Sequence, residues 1–262
     1  MNDDELTSLT DLVWQGTQRG QLEIAPLTGR LTVAQGERVQ LMVLDRWRAH
    51  GERLAGWKVG LTSGASRDAF GPGIRPFGFI LESRVLRSGA RIDRNRIPNL
   101  GLENELCFRI GSPLMGSDIT ATQVRAALAG VAPGFEINQN RTGGHADPGT
   151  RAADNLSQWG IVVGQEIAPI PAGLDFESLV VELTCDGDPV ASVAARGHID
   201  DHFSSIAALV RELAKFDLGL EPGQQVITGA YTRVPVNRAG RYVGTFTGAG
   251  SVRVDVTDGG EP

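Results

Sequence analysis

In MNDDELTSLTDLVW, Leu6, Leu9 and Val13 recur at spacings of three and four, which predicts an amphipathic helix. Val33, Val39, Met42, Val43 and Trp47 predict a second helix over 32–49 with Thr32 as its cap, and QLEIAPLTG connects the two. Beyond Leu54 the pattern changes. AGWKVGLTSG is short and punctuated by glycine, FGPGIRPFGFILES is a loop running into a strand, and residues 97–110 read as a strand. Thr120 caps a helix predicted over 121–129, followed by a strand in APGFEINQNR and another in WGIVVGQEI. In LVVELTCDGDPVASVAA, Val181, Leu183 and Cys185 alternate with polar residues up to an Asp186-Gly187 turn, which predicts a hairpin. Ile206, Leu209, Val210 and Leu213 mark a further helix, and the segments from QQVITGAYTRVPV to SVRVDV read as a β-meander. The expected architecture is α+β, a small helical N-terminal part on a larger antiparallel β domain. The boundary falls between residues 1–75, which hold the helices and a lysine loop, and residues 76–262.

Composition narrows the function more than the fold. A chain of 262 residues with 41% hydrophobic content can bury a full core. A net charge of −6 speaks against nucleic acid as a partner, since phosphate binding needs a basic face. The 34 glycines and 13 prolines imply many turns. Cys107 and Cys185 lie in apolar runs, which fits a reducing compartment, and the acidic N-terminus offers neither a signal peptide nor a membrane anchor; a cytoplasmic protein is expected.

Candidate chemistry begins in GLENELCFRIG. Residues two apart share a face of a strand, so Glu103, Glu105 and Cys107 point one way while Leu102, Leu106 and Phe108 point the other. The apolar neighbours suggest burial, and two like charges about 7 Å apart in a core repel unless a cation lies between them. Glu136 interrupts the next apolar strand and can complete a site. Three carboxylates suit a hard divalent ion, Mg²⁺ or Mn²⁺, better than Zn²⁺. Lys58 sits between Trp57 and Val59, and reads either as a snorkelling stem or as an acid/base group near the metal. The irregular stretch RTGGHADPGTRAADNLSQWG has the length and composition of a functional loop, and His145 in it is a candidate acid or base at the substrate pocket. His198 and His202 are spaced like a helical metal pair, but Asp200 and Asp201 favour a capped, solvated helix start. No glycine pattern supports a nucleotide cofactor.

GWKVGLTS, GLENELCFRIG, GFEINQNR, ADNLSQWGIVVG and GQQVITGAYTRVPV, in that order, resemble the 2-keto-4-pentenoate hydratases and 4-oxalocrotonate decarboxylases of the fumarylacetoacetate hydrolase-like superfamily. The resemblance runs from about Thr32 to the C-terminus. It implies a mixed β-roll, a Mg²⁺ or Mn²⁺ ion held by Glu103, Glu105 and Glu136, and Lys58 as the active-site lysine. It also implies a substrate pocket bordered by Ser157 and Asn155, with Asp154, and homo-oligomers. The chain departs from the family pattern in three places, one of them TGGHADPGTR, where relatives often have a Trp-containing stretch. Arg75-Pro76 stands where relatives have an Asp in a PDFG-like segment, and Gln139-Asn140-Arg141 keeps only the Arg of an acid-serine-arginine sequence.

The activity so implied is hydration of a 2-hydroxy-2,4-dienoate through a dienolate held at the ion, with Lys58 and Ser157 as catalytic residues. Decarboxylation of a 2-oxo-3-enedioate is the alternative, and Arg75 and Arg141 are candidates for a distal carboxylate. Hydrolysis of an acylpyruvate C–C bond is disfavoured because no His lies between His50 and the Glu103 strand. A non-catalytic protein has no reason to keep Lys58 and three buried carboxylates.

Overall fold

The structure, a computed structural model, describes residues 1–259. Helices α1 (Asp3–Arg19) and α2 (Val33–Ala49) both open on a capping box, Asn2 with Glu5 and Thr32 with Gln35, so two backbone donors are satisfied at each start. They pack on each other, with Trp14 and Trp47 edge to face at 4.8 Å.

In chain order the next elements are β1 (Leu54–Val59), β2 (Phe77–Leu81), β3 (Val85–Arg87), β4 (Ala90–Asp93), β5 (Leu100–Ile110) and α3 (Ala121–Ala127). Then come β6 (Leu128–Gln139), α4 (Pro148–Ala153), β7 (Gln158–Val163), β8 (Val180–Cys185), β9 (Asp188–Ala194) and α5 (His202–Ala214). The last four strands are β10 (Gln225–Ile227), β11 (Thr232–Pro235), β12 (Gly240–Phe246) and β13 (Gly250–Thr257). One sheet runs β2-β1-β10-β5-β6-β7-β3, with β11 also on β5, and a second runs β4-β13-β12-β8-β9.

Both sheets are mixed, because β1–β10, β3–β7 and β4–β13 pair in parallel, which corrects the expectation of an antiparallel domain. The C-terminal strands are not a meander either: β10 and β11 join the first sheet and β12 and β13 the second. Strand partners are set by long-range burial and leave no local pattern, so the crossing between Pro235 and Gly240 has no sequence signature. Helix α3 ends two residues earlier than its periodicity suggests, because the Ala127 carbonyl accepts from the amides of Gly111 and Ser112 and β6 follows without a loop. The irregular stretch contains α4, capped by Asp147 with Pro148 in its first turn. Asp186 and Gly187 both take positive φ, as the hairpin turn requires.

The long β5–β6 pair divides the interior. On one face Leu102, Leu106, Phe108, Phe135 and Ile137 join the main core, and Gly244 of β12 closes against Asn104 and Phe135. On the other, Ile80, Cys107, Ile161 and Ile227 form a small separate apolar cluster. That second face carries the carboxylates.

Candidate active site

Glu103 of β5 lies directly opposite Glu136 of β6, and Glu105 follows two residues on, so all three side chains share the face that the alternation predicts. Glu103 and Glu105 are each 3% exposed and Glu136 is fully buried. One ligand oxygen from each lies within 4.8 Å of the others. Burial, reinforced by Glu136 and Glu103, holds the Glu105 carboxyl well above the ordinary carboxylate range. Burial also raises Glu136, against the pull of Lys58 and with a further push from Glu103. Such a set is costly to bury without a counter-ion.

Four groups answer part of that charge. Lys58, on β1, forms a buried ion pair with Glu136, and its Nζ lies 3.4 Å from the Leu156 carbonyl oxygen. Glu103 accepts from Asn138 Nδ2 at 2.8 Å and pairs with Arg233 Nε at 2.6 Å; Arg233 is its register partner on β11. Glu105 accepts from the Gly229 amide at 2.7 Å. Gly229 takes a φ of +133°, and a Cβ there would stand 2.0 Å from Thr62 Oγ1, so only glycine fits the backbone that aims this donor. Glu136 Oε2 is buried and has no hydrogen-bond partner among the described residues. Three hard oxygen donors, one of them orphaned, with no thiol or imidazole in the cluster among the described residues, fit a hard divalent cation.

The wall opposite comes from the turn after α4. Asn155, Leu156 and Ser157 have φ of +53°, +50° and +64°, three successive residues in the left-handed region. Asn155 is tied to β2 through both its amide atoms: Oδ1 accepts from Phe79 N and from Gln40 Nε2, and Nδ2 donates to Phe79 O. Arg141 donates from Nε to Asp154 Oδ1 at 2.6 Å and from Nη2 to the Asp154 carbonyl at 2.8 Å, both groups being buried. Together they pin this strained turn, which places the Leu156 carbonyl beside Lys58.

Of the residues singled out in the sequence, Lys58, Glu103, Glu105 and Glu136 converge on one small chamber of about 40 Å³. Ser157 lies instead on an adjoining groove of about 960 Å³. Arg141 and Asn155 are structural fasteners of the turn and line neither space. Arg75 is held by Asp68 at 2.5 Å and Asp200 at 2.8 Å, and it too stays outside. His145 is exposed and does not line the groove, although Thr142, Gly143 and Gly144 of its loop do. Sequence reasoning missed Asn138, Arg151, Gly229 and Arg233. Asn138 sits two residues from Glu136, hence on its face, and Gly229 and Arg233 lie in the GQQVITGAYTRVPV motif, so a signal existed for three of them. His202 also departs from expectation. Asp201 caps α5 as anticipated, but His202 is buried, with Nδ1 at 2.8 Å from Thr228 Oγ1 and Nε2 at 2.8 Å from Tyr231 Oη.

A buried triad of carboxylates with a lysine, set in a mixed sheet packed with a second sheet, defines a β-roll with a candidate metal site. The profile of the fumarylacetoacetate (FAA) hydrolase C-terminal family matches residues 49–257, and the chain belongs to that family. It is 28% identical over 253 residues to 2-hydroxyhexa-2,4-dienoate hydratase of Comamonas testosteroni, covering 92% of this chain and 93% of the relative. It is 29% identical to 4-oxalocrotonate decarboxylase of Pseudomonas sp. (strain CF600), covering 79% and 78% respectively. The fold superposes on that of 4-oxalocrotonate decarboxylase from Pseudomonas putida G7, solved with magnesium and adipate. The TM-score is 0.89, with 23% identity over 98% of this chain and 99% of that one.

Proposed function

We propose that the protein is a divalent-metal-dependent hydratase of a 2-hydroxy-2,4-dienoate, with Glu103, Glu105 and Glu136 as ligands for Mg²⁺ or Mn²⁺. When bound, the ion supplies Lewis acidity toward a 2-oxo acid's developing negative oxygen. Lys58, whose ammonium pairs with Glu136 at the chamber, gives a proton to C5 of the dienol and takes in its place the one that the dienol oxygen gives up. Ser157, on the groove side of the turn, orients the water whose oxygen bonds to C4 while C3 takes its proton. The observation that carries this reading is the convergence of three buried carboxylates and Lys58 within one chamber. Hydratases of this substrate class among the relatives support it.

Decarboxylation of a 2-oxo-3-enedioate is the second reading, favoured by the two guanidinium groups, Arg151 and Arg233, that flank the chamber. Both thiols are free and buried, which supports a reducing compartment, and no described helix is long and apolar enough to cross a membrane. We also place the protein in the cytoplasm, as a homo-oligomer. The test is consumption of a panel of 2-hydroxydienoates followed by ultraviolet absorbance, with Mg²⁺ or Mn²⁺ and after chelation. Hydration yields a 4-hydroxy-2-oxo acid without gas, and decarboxylation releases CO₂. Absence of metal-dependent turnover of every member sinks the reading.

A further inference from the structure

The chamber and the groove share four lining residues, Glu103, Arg151, Leu156 and Arg233, which form the neck between them. Three of these already have a role in the geometry: Glu103 is a candidate ligand, the Leu156 carbonyl faces Lys58, and Arg233 is paired to Glu103. Arg151 is different. Among the described residues no carboxylate lies within ion-pair distance of it, whereas Arg141 and Arg233 each have one and Arg75 has two. It is also half-buried, and burial together with Arg233 pulls its pKa below the usual arginine value.

Its position is fixed. The guanidinium carbon stands 5.0 Å from the centre of the Phe70 ring, within cation–π reach, and among the described residues no side chain accepts a hydrogen bond from its donors. Helix α4, which carries it, is locked to α2: a Cβ on Gly36 would stand 2.1 Å from the Gly149 carbonyl oxygen, so the two backbones touch. A guanidinium on a fixed helix, with five donors in a rigid fork and no acid paired to it, suits a planar carboxylate.

Charge points the same way. Three carboxylates set against Lys58 and Arg233 leave one net negative charge at the site, and a divalent ion reverses it to one positive. Arg151 makes the total two positive, which a dianion neutralises and a monoanion does not.

We propose that Arg151 is a specificity-determining residue that receives a second carboxylate on the substrate, so that the protein selects dicarboxylic 2-oxo acids over monocarboxylic ones. The proposal rests on the metal-dependent 2-oxo-acid site proposed above. One end of the substrate enters the chamber and the other is gripped at the neck, with Asn138 and Asn140 lining the groove beyond.

Calorimetric titration of the Mn²⁺-loaded protein tests this with oxalate, 2-oxohexanoate and 2-oxoadipate, the last two differing at the distal end by a carboxylate. Wild type is expected to bind 2-oxoadipate at least about tenfold more tightly than 2-oxohexanoate, in keeping with a charge-assisted fork. Arg151→Gln is expected to lose that ratio while keeping its affinity for oxalate and 2-oxohexanoate, and Arg75→Gln to keep the ratio. Equal binding of the two oxo acids by wild type, or a ratio that survives in Arg151→Gln, overturns the assignment. The wild-type comparison decides the matter even if the variant fails to fold. Failure to bind oxalate with metal present overturns the underlying site and this assignment together, whereas oxalate binding without discrimination overturns this assignment alone.

Discussion

Two polar clusters are buried on opposite faces of the sheet within a few residues of each other, and their hydrogen bonding differs. At the start of α5, His202 has a partner for each ring nitrogen, Thr228 and Tyr231, and burial pushes its pKa down to about 4, so the ring is neutral. Across the sheet, Glu103, Glu105 and Glu136 crowd together, and one oxygen of Glu136 has no partner among the described residues. A fully paired neutral network specifies a core; a charged one left short of partners is a site waiting for a cation. Burial alone therefore does not separate structure from chemistry. The accounting of donors and acceptors does.

The largest test of that contrast is Glu105→Gln. It removes a candidate ligand, so turnover should fall about a thousandfold, the scale of losing metal-derived stabilisation of a charged transition state. The same change relieves like-charge crowding, so the metal-free variant should melt higher than wild type. Adding Mg²⁺ or Mn²⁺ should raise the melting temperature of wild type only. Calorimetric scans with and without metal check both, and a variant that melts lower without metal breaks the contrast.

Glu37 probes a third situation, a buried carboxyl outside both clusters. Burial, helped by Glu212 and opposed by Lys215, raises its pKa from 4.5 to about 7. Its folded pKa exceeds the unfolded one, so its contribution to stability is intact below pH 4.5 and is lost as pH rises through 7. Glu37→Gln stays neutral and should match wild type near pH 4.5 but exceed it by about 3 kcal/mol at pH 8, measured by urea unfolding at both values. An advantage that does not grow with pH contradicts this. The smallest effect is expected for Tyr231→Phe, which takes one partner from His202 and should cost about 1 kcal/mol in urea while leaving turnover within twofold. A large loss of activity there would place the histidine cluster in the chemistry after all.

Much of this was readable from residues alone, for reasons that can be named. The helices announced themselves through periodicity and, at Thr32 and Thr120, through capping residues whose side chains accept the third amide of each helix. The carboxylate site was legible because a strand alternates faces, which put Glu103 and Glu105 together, and because a charge inside an apolar run stands out. Arginines are another matter. Arg75, Arg141, Arg151 and Arg233 look alike in a string, and what separates them is whether an acid from a distant segment is within reach. Asp200 lies 125 residues from Arg75, and no local pattern encodes that encounter. Asn155 illustrates the same limit: its motif was visible, but its amide turns to β2 and fastens the turn.

The Lys58 ammonium offers three protons and meets two fixed acceptors, the Glu136 carboxylate and the Leu156 carbonyl. One acceptor is charged and lies across the sheet; the other is a backbone atom held by a turn that the left-handed run 155–157 makes hard to deform. With two of its valences spoken for, the nitrogen cannot swivel freely, and the remaining proton has a direction before any ligand arrives. A lysine on an unconstrained stem would have to find that direction anew on each encounter.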